Sequence, residues 1–73
     1  MGAVKFVCVD VSGSEVWINM YQNQLMKLVF ESYCQRSGVA KIELYHNGRL
    51  VNFTDTPYSL GINNFDRLDV RKI

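Results

Sequence analysis

The sequence predicts an α+β domain in which one main helix packs across one face of a mixed sheet. Only residues 25–39 have a helical period. The apolar residues of that segment recur at three- and four-residue spacing and share one face: Met26, Val29, Phe30 and Tyr33. Alternating apolar and polar residues, the pattern of half-buried strands, stand on both sides of this segment. The 73 residues suffice for a single domain, 1–73, with a small core.

Two strands are predicted before the helix. Residues 4–11 and residues 15–21 both alternate, and the Ser-Gly-Ser turn at residues 12–14 joins them as a hairpin. Asn23 has the side chain of a helix N-cap. Gly38 can adopt the left-handed conformation that ends a helix. We therefore expect the helix to begin after Asn23 and to end at Gly38.

Three further strands and one helical turn are expected after the helix. Residues 42–46 alternate, residues 47–48 form an Asn-Gly turn, and residues 50–53 can add a short strand. A second, short helical turn over residues 56–61 begins with Thr-Pro and ends with Leu-Gly. The last strand covers residues 67–72. The first and last strands alternate most regularly, so we expect them side by side in the centre of a sheet of four to five strands. This is the β-grasp arrangement.

The composition argues against nucleic acids and membranes as partners. The net charge of +1 is too small to drive binding to a phosphate backbone, and the basic residues do not cluster, so no nucleic-acid partner is expected. No apolar run reaches membrane-spanning length, so no membrane partner is expected either. Residues 1–3 read as a disordered start or an expression remnant.

Catalytic and metal-binding constellations are also not evident in the sequence. His46 is the only histidine, and no second ligand stands at a suitable spacing. Cys34 has no evident base that could activate its thiol. Two cysteines are too few for a disulfide framework, and the spacing of Cys8 and Cys34 matches no metal motif. This favours two reduced thiols in an intracellular protein, although the sequence leaves a bridge between them open. We predict a protein that is not an enzyme and uses no cofactor, metal or small-molecule substrate.

Several short strings spread over the chain carry a family resemblance. They are Ser14-Glu15-Val16, residues 31–36 (ESYCQR), Gly38-Val39, Asn47-Gly48-Arg49, Thr56-Pro57 and Leu60-Gly61. Together they resemble the small ubiquitin-like modifier (SUMO) family. The pattern runs in register over residues 4–39 and resumes over residues 42–70. The resemblance implies a β-grasp fold, a nuclear or cytoplasmic location, a link to ubiquitin-like conjugation pathways and no catalysis.

The resemblance also implies a protein-binding groove. Members of the family bind short hydrophobic motifs as an added strand beside the second strand. The positions that match the groove are Val16, Ile18, Val29 and Tyr33, with Arg36 at the basic position. Asn19, Tyr21 and Leu28 replace the lysines that usually flank it. We therefore expect a weakened or altered preference for acidic residues in the partner.

Several large apolar residues fall where the predicted fold meets solvent. Trp17, Tyr21 and Leu28 would border one edge strand as an apolar rim, and Tyr58 and Phe65 would form a second patch. One interpretation is scattered surface hydrophobes. The other is a contact surface for a protein partner or for self-association.

Three functions are consistent with these observations. The first is a non-catalytic protein-interaction domain that binds partners through the groove and the exposed apolar patches. The alternative is a divergent modifier whose Gly-Gly tail has been removed, because the chain stops at Ile73, where such a tail would begin. The family's acidic run, used to dock the conjugating enzyme, reads here as residues 62–66 with only Asp66 charged. A structural oligomerisation domain is a third possibility.

Overall fold

The computed structural model describes residues 2–73 and contains five strands and two helices. They are β1 (Ala3–Val9), β2 (Glu15–Tyr21), α1 (Lys27–Ser37), β3 (Ile42–His46), β4 (Arg49–Leu50), α2 (Pro57–Leu60) and β5 (Arg67–Lys72). The strands form one sheet in the order β2-β1-β5-β3-β4. β1 and β5 lie parallel in its centre, and the other pairs are antiparallel. The predicted fold class and the central strand pair are confirmed.

The core lies between α1 and one face of the sheet. Alternation directs the side chains of Phe6 and Cys8 in β1 towards the helix, and Leu44 and Leu68 extend this layer across β3 and β5. The helix contributes the predicted apolar face, Met26, Val29, Phe30 and Tyr33, all of them buried. Each of these large side chains stabilises the fold by about 1.5–3 kcal/mol through burial. Burial of these side chains therefore fixes which face of the sheet lies against α1, and this positions the strands at the two edges of the sheet.

The two ends of α1 are closed by different means. Gly38 is left-handed at φ 72°, and its N–H donates to the carbonyl of Cys34, as predicted. The predicted cap at Asn23 is wrong, because the helix begins at Lys27 with no side-chain cap. The N–H of Met26 donates to the carbonyl of Asp55 at 2.7 Å instead, and that of Lys27 donates to Phe53 at 3.1 Å. A loop distant in sequence thus satisfies the free N–H groups of the helix start.

The short helix α2 has the predicted local signals. Thr56 Oγ1 accepts from the N–H of Ser59 at 3.0 Å, and Ser59 Oγ accepts from the N–H of Thr56 at 2.9 Å. Pro57 stands in the first turn, and Gly61 is left-handed at φ 69°. This reciprocal capping box closes the helix start without help from the rest of the fold.

Two strand boundaries differ from expectation. β4 covers only Arg49–Leu50 rather than residues 50–53, because the Asn-Gly turn closes the hairpin at His46 and Arg49, after which Phe53 turns towards α1. At the N-terminus, Ala3 pairs with Tyr21, and the carbonyl of Gly2 accepts from the N–H of Gln22. The structure therefore differs from the expected disorder at Gly2 and Ala3. Met1 lies outside the described residues.

β1 ends at Val9 rather than at residue 11 because Asp10 organises the turn into β2. Its Oδ1 accepts from the N–H and Oγ of Ser12 at 3.0 and 2.7 Å and from the N–H of Ser14 at 3.0 Å. Its Oδ2 lies 3.3 Å from Lys72 Nζ in β5. The Ser12 hydroxyl, with Ser14 and Lys72, lowers the pKa of this carboxyl from 3.8 to about 2. Asp10 thus connects the turn before β2 to β5.

Candidate functional site

β2 is an edge strand, and its backbone hydrogen bonds alternate between its two sides. The ladder with β1 is bracketed by Gln22 N–H to the Gly2 carbonyl at 3.0 Å and by Asp10 N–H to the Ser14 carbonyl at 3.1 Å. The register is continuous between these two rungs. Because hydrogen-bonded pairs alternate in an antiparallel ladder, the even-numbered residues of β2 bond to β1. The odd-numbered residues direct their N–H and C=O groups away from the sheet.

The outward groups of the odd-numbered residues are not all free. At Tyr21 the N–H donates to Gln24 Oε1 at 2.9 Å, and the carbonyl accepts from the N–H of Gln24 at 3.1 Å. No hydrogen bond from residues 2–73 reaches the outward groups of Glu15, Trp17 and Asn19. We call these three residues the open edge. It can pair with another extended backbone.

A groove of about 260 Å³ lies beside the open edge, between β2 and α1. Its lining residues are Trp17, Ile18, Asn19, Met20, Gln24, Leu28, Val29, Ser32 and Arg36. The buried side chains of Ile18 and Val29 form its apolar floor, with Leu28 exposed beside them. Arg36 is the only charged residue in this lining. The groove can receive apolar side chains that project from a strand paired with the open edge.

The structure brings five of the predicted site residues to this groove: Trp17, Ile18, Leu28, Val29 and Arg36. Val16 and Tyr21 do not line it. Tyr33 does not line it either, since it is only 2% exposed in the core. Burial, with a smaller contribution from the Asp10 carboxylate, raises the pKa of its phenol. The predicted groove floor is therefore corrected at Tyr33, which packs against the sheet, and at Val16, which is half-buried against the core.

Three lining residues were not identified from the sequence: Ser32, Met20 and Gln24. Ser32 stands between Leu28 and Arg36 at four-residue spacing, so this row of the helix beside the core face could have been recognised. Met20 follows directly from the position of β2 at the sheet edge, where Asn19 was already expected beside the groove. Gln24 lies in the irregular segment between β2 and α1, where no periodic signal exists.

The predicted apolar rim is not one surface. Trp17 lines the groove from β2, but strand alternation directs its ring and that of Tyr21 to the face of the sheet opposite α1, whereas Leu28 stands on α1. The Trp17 ring lies edge-on to Phe65, with centroids 6.5 Å apart, and Lys5 Nζ is 5.6 Å from the Trp17 centroid. Phe65, from the predicted second patch, thus joins Trp17 on the outer face. Tyr58, predicted as its companion, is exposed on α2.

Phe65 holds an uncommon backbone conformation, φ 68°, for a bulky side chain. Its N–H donates to the carbonyl of Lys5 at 2.6 Å, and the N–H of Lys5 donates to Asn64 Oδ1 at 3.0 Å. The turn before β5 is thereby fixed to β1. These contacts hold Phe65 beside Trp17 and support the outer side of β2.

A second concave surface lies near the other edge of the sheet. Phe30 and Phe53 pack edge-on there, with centroids 4.7 Å apart. Leu50, Val51 and Ile73 contribute to its lining. Because Val51 N–H donates to the Leu44 carbonyl at 2.8 Å, the chain itself covers this part of β3.

The two cysteines and the histidine lie in or against the core: Cys8 and His46 are buried, and Cys34 is half-buried. Burial raises the pKa of the Cys8 thiol to about 12, which keeps it protonated. Cys8 and Cys34 are both free. His46 Nε2 lies 3.2 Å from Asp66 Oδ2. Within residues 2–73, no three His, Cys, Asp or Glu side chains are grouped as a metal site. None of the helices described has the length and apolarity to cross a membrane.

Comparison with known proteins identifies the fold. No protein-family model and no curated protein sequence matches this chain. A solved ubiquitin of Caldiarchaeum subterraneum is similar at a TM-score of 0.89, with 22% identity over 99% of this chain and 95% of that chain. A de novo design based on ubiquitin has a TM-score of 0.83, with 15% identity over 97% of this chain and 89% of that chain. The resemblance to SUMO in particular stays a prediction. By fold, the chain is a ubiquitin-like β-grasp domain.

Proposed function

We propose that this chain is a non-catalytic protein-interaction domain that binds an extended peptide segment by strand addition to β2. The observation that supports the proposal is the open edge, Glu15, Trp17 and Asn19, directly beside an apolar groove. A guest strand would form main-chain hydrogen bonds with the open edge. Its alternate side chains would enter the groove over Ile18 and Val29.

The expected affinity is low. Each main-chain hydrogen bond contributes about 1 kcal/mol net, and the groove accepts two or so apolar side chains. Ordering a flexible peptide and immobilising it on the domain offset most of this gain. We therefore expect a Kd of roughly 10 µM to 1 mM for an isolated peptide.

Charge contributes little to this interaction. Arg36 is the only charged residue in the lining of the groove, and ion pairs at such surfaces are worth about 0.2–1 kcal/mol. A carboxylate in the guest segment would gain from Arg36, but hydrogen bonding and apolar burial would dominate. This agrees with the weak preference for acidic residues expected from Asn19, Tyr21 and Leu28.

An NMR titration tests the proposal. The isotope-labelled domain is titrated with the blocked peptide acetyl-TVTVTD-amide, which has high strand propensity and an apolar residue at every second position. We expect shifts along β2 and the facing side of α1. Two matched peptides, N-methylated at the threonine between the two valines or at the second valine, keep the apolar surface but each lose one donor. The threonine N–H faces β2 in an antiparallel guest and the valine N–H in a parallel guest, so one of the two peptides should bind more weakly.

Three outcomes would contradict strand addition. The first is the absence of shifts at millimolar peptide, and the second is that both N-methylated peptides bind as tightly as the parent peptide. The third is a stable dimer in analytical ultracentrifugation that disappears in Trp17→Glu, because a second copy would then occupy the β2 edge.

A second candidate function is that of a protein modifier. The supporting observation is the match over nearly the full length of a solved archaeal ubiquitin. The open reading frame beyond Ile73 and a search for isopeptide-linked conjugates by mass spectrometry would test it. For either role we propose a nuclear or cytoplasmic location, on the family resemblance alone. Imaging of the tagged protein would check this.

A further inference from the structure

We infer that Gln24 is the end stop of the open edge. By this we mean that it prevents a guest strand from pairing with β2 beyond residues 15–19. This inference rests on the proposed strand addition. It assigns to Gln24 a role in selecting the length of the partner segment. It also defines the partner chemically, as a short extended peptide segment rather than a long strand.

The end stop is a closed pair of hydrogen bonds. The side-chain carbonyl of Gln24 accepts from the N–H of Tyr21 at 2.9 Å, and the backbone N–H of Gln24 donates to the carbonyl of Tyr21 at 3.1 Å. Both groups with which Tyr21 could bind a guest are therefore occupied. Gln24 takes the place that the next residue of an added strand would need.

The segment that carries Gln24 is anchored on both sides. The N–H of Gln22 donates to the Gly2 carbonyl at 3.0 Å, and the carbonyl of Gln22 accepts from the N–H of Tyr58 at 3.0 Å. Two residues further on, the N–H of Met26 is bound to Asp55. A guest strand would have to break contacts of an anchored loop in order to extend past Asn19.

The opposite end of the open edge is limited by the turn. Beyond Glu15, the carbonyl of Ser14 accepts from the N–H of Asp10, and the N–H of Gly13 donates to the carbonyl of Asp10. The guest is thus confined between this turn and Gln24. Its residues opposite Val16 and Ile18 face the groove, and the alternate residues face the outer side with Trp17. The structure thereby selects a segment of five residues with two apolar side chains towards the groove.

Peptides of different length test the end stop. The blocked peptide acetyl-TVTVTD-amide is compared with two versions extended by Thr-Val, one at each end. We expect the unaltered domain to bind all three with the same Kd within about twofold. In Gln24→Ala the freed Tyr21 N–H should let one of the extended peptides bind about threefold to tenfold more tightly, which corresponds to one hydrogen bond.

A control variant and an amide-exchange measurement complement the comparison of peptide lengths. Asn23→Ala removes a neighbouring exposed amide that has no hydrogen bond to any of residues 2–73, and this variant should behave like the unaltered domain. In the free protein, the Tyr21 amide should exchange with deuterated water more slowly than the amides of Trp17 and Asn19. Gln24→Ala should remove this protection.

The outcomes separate the two proposals. The end stop would be overturned, and strand addition left intact, if the unaltered domain bound an extended peptide more tightly than the short one. The same holds if Gln24→Ala did not bind either extended peptide more tightly. Equal exchange of the Tyr21 and Asn19 amides in the free protein would also overturn it, without any peptide. If no peptide binds to the unaltered domain, strand addition fails and the end stop fails with it.

Discussion

The two edges of the sheet differ in how far the chain itself closes them. At one edge, β4 is only two residues long and includes Arg49, and the hydrogen bond from Val51 to Leu44 continues the cover over β3. Short, charged edge strands are poor templates for pairing. At the other edge, β2 is seven residues long, and within the described part of the chain its outward groups stay unpaired until Gln24 closes its end. A small domain can thus protect one edge and keep a defined part of the other available.

The difference depends on the parity of residues in β2. Even-numbered residues complete the ladder with β1, while odd-numbered residues face outward. Neighbouring positions in β2 therefore differ, since one residue bonds to β1 and the next directs its N–H and C=O groups away from the sheet. The following variants test this contrast, from the largest expected effect to the smallest.

The largest effect is expected from proline at an even-numbered position of β2. Ile18→Pro removes the N–H that bonds to β1 at Phe6 and also a buried side chain, so the free energy of unfolding should fall by about 3 kcal/mol or more. Asn19→Pro removes an outward N–H instead, and it should stay folded but lose peptide binding. Urea denaturation followed by circular dichroism measures the first effect. Similar destabilisation by both variants would contradict the assigned parity.

The turn into β2 should produce the next effect, together with a pH dependence. The pKa of Asp10 is lowered to about 2 in the folded protein, so its carboxylate stabilises the fold above the unfolded pKa near 3.8. This contribution is lost as the pH falls from about 4 to 2. Asp10→Asn should lower the melting temperature at neutral pH, and the difference from the unaltered protein should shrink over that range. A constant difference from pH 6 to pH 2 would contradict this role.

A smaller effect is expected at the closed edge. Phe53 is 54% exposed and packs edge-on against Phe30. Phe53→Ala should lower the free energy of unfolding by about 1 kcal/mol and leave peptide binding at β2 unchanged. Weaker peptide binding in this variant would show that the two edges are not independent.

The smallest effect is expected at Arg36. Arg36→Gln should weaken binding of the aspartate-terminated peptide about two- to fivefold at low salt, and raised salt should reduce the difference. A peptide that ends in asparagine serves as the control and should bind both proteins equally. A loss above tenfold would mean that charge dominates recognition in this groove.

Local signals made most of the fold predictable from sequence. The alternation of residues 42–46, the left-handed Gly38 and the Thr56 cap each require only near neighbours, and all three are confirmed. The cap at Asn23 fails because backbone carbonyls of residues 53 and 55, far away in sequence, supply the acceptors. Part of the candidate site could be predicted from the sequence for the same reason. Ile18 and Val29 follow from strand and helix periods, whereas Tyr33 turns into the core and Gln24 acts from a loop without a period.

Amide hydrogen exchange along β2, without and with saturating acetyl-TVTVTD-amide, tests the central claim most directly. In the free domain, the amides of Val16, Ile18 and Met20 should exchange slowly and those of Trp17 and Asn19 quickly. Adding the peptide should slow the hydrogen exchange of the Trp17 and Asn19 amides specifically. If both are already protected in the free domain, or remain fast at saturation, β2 does not present an edge that a partner strand can occupy.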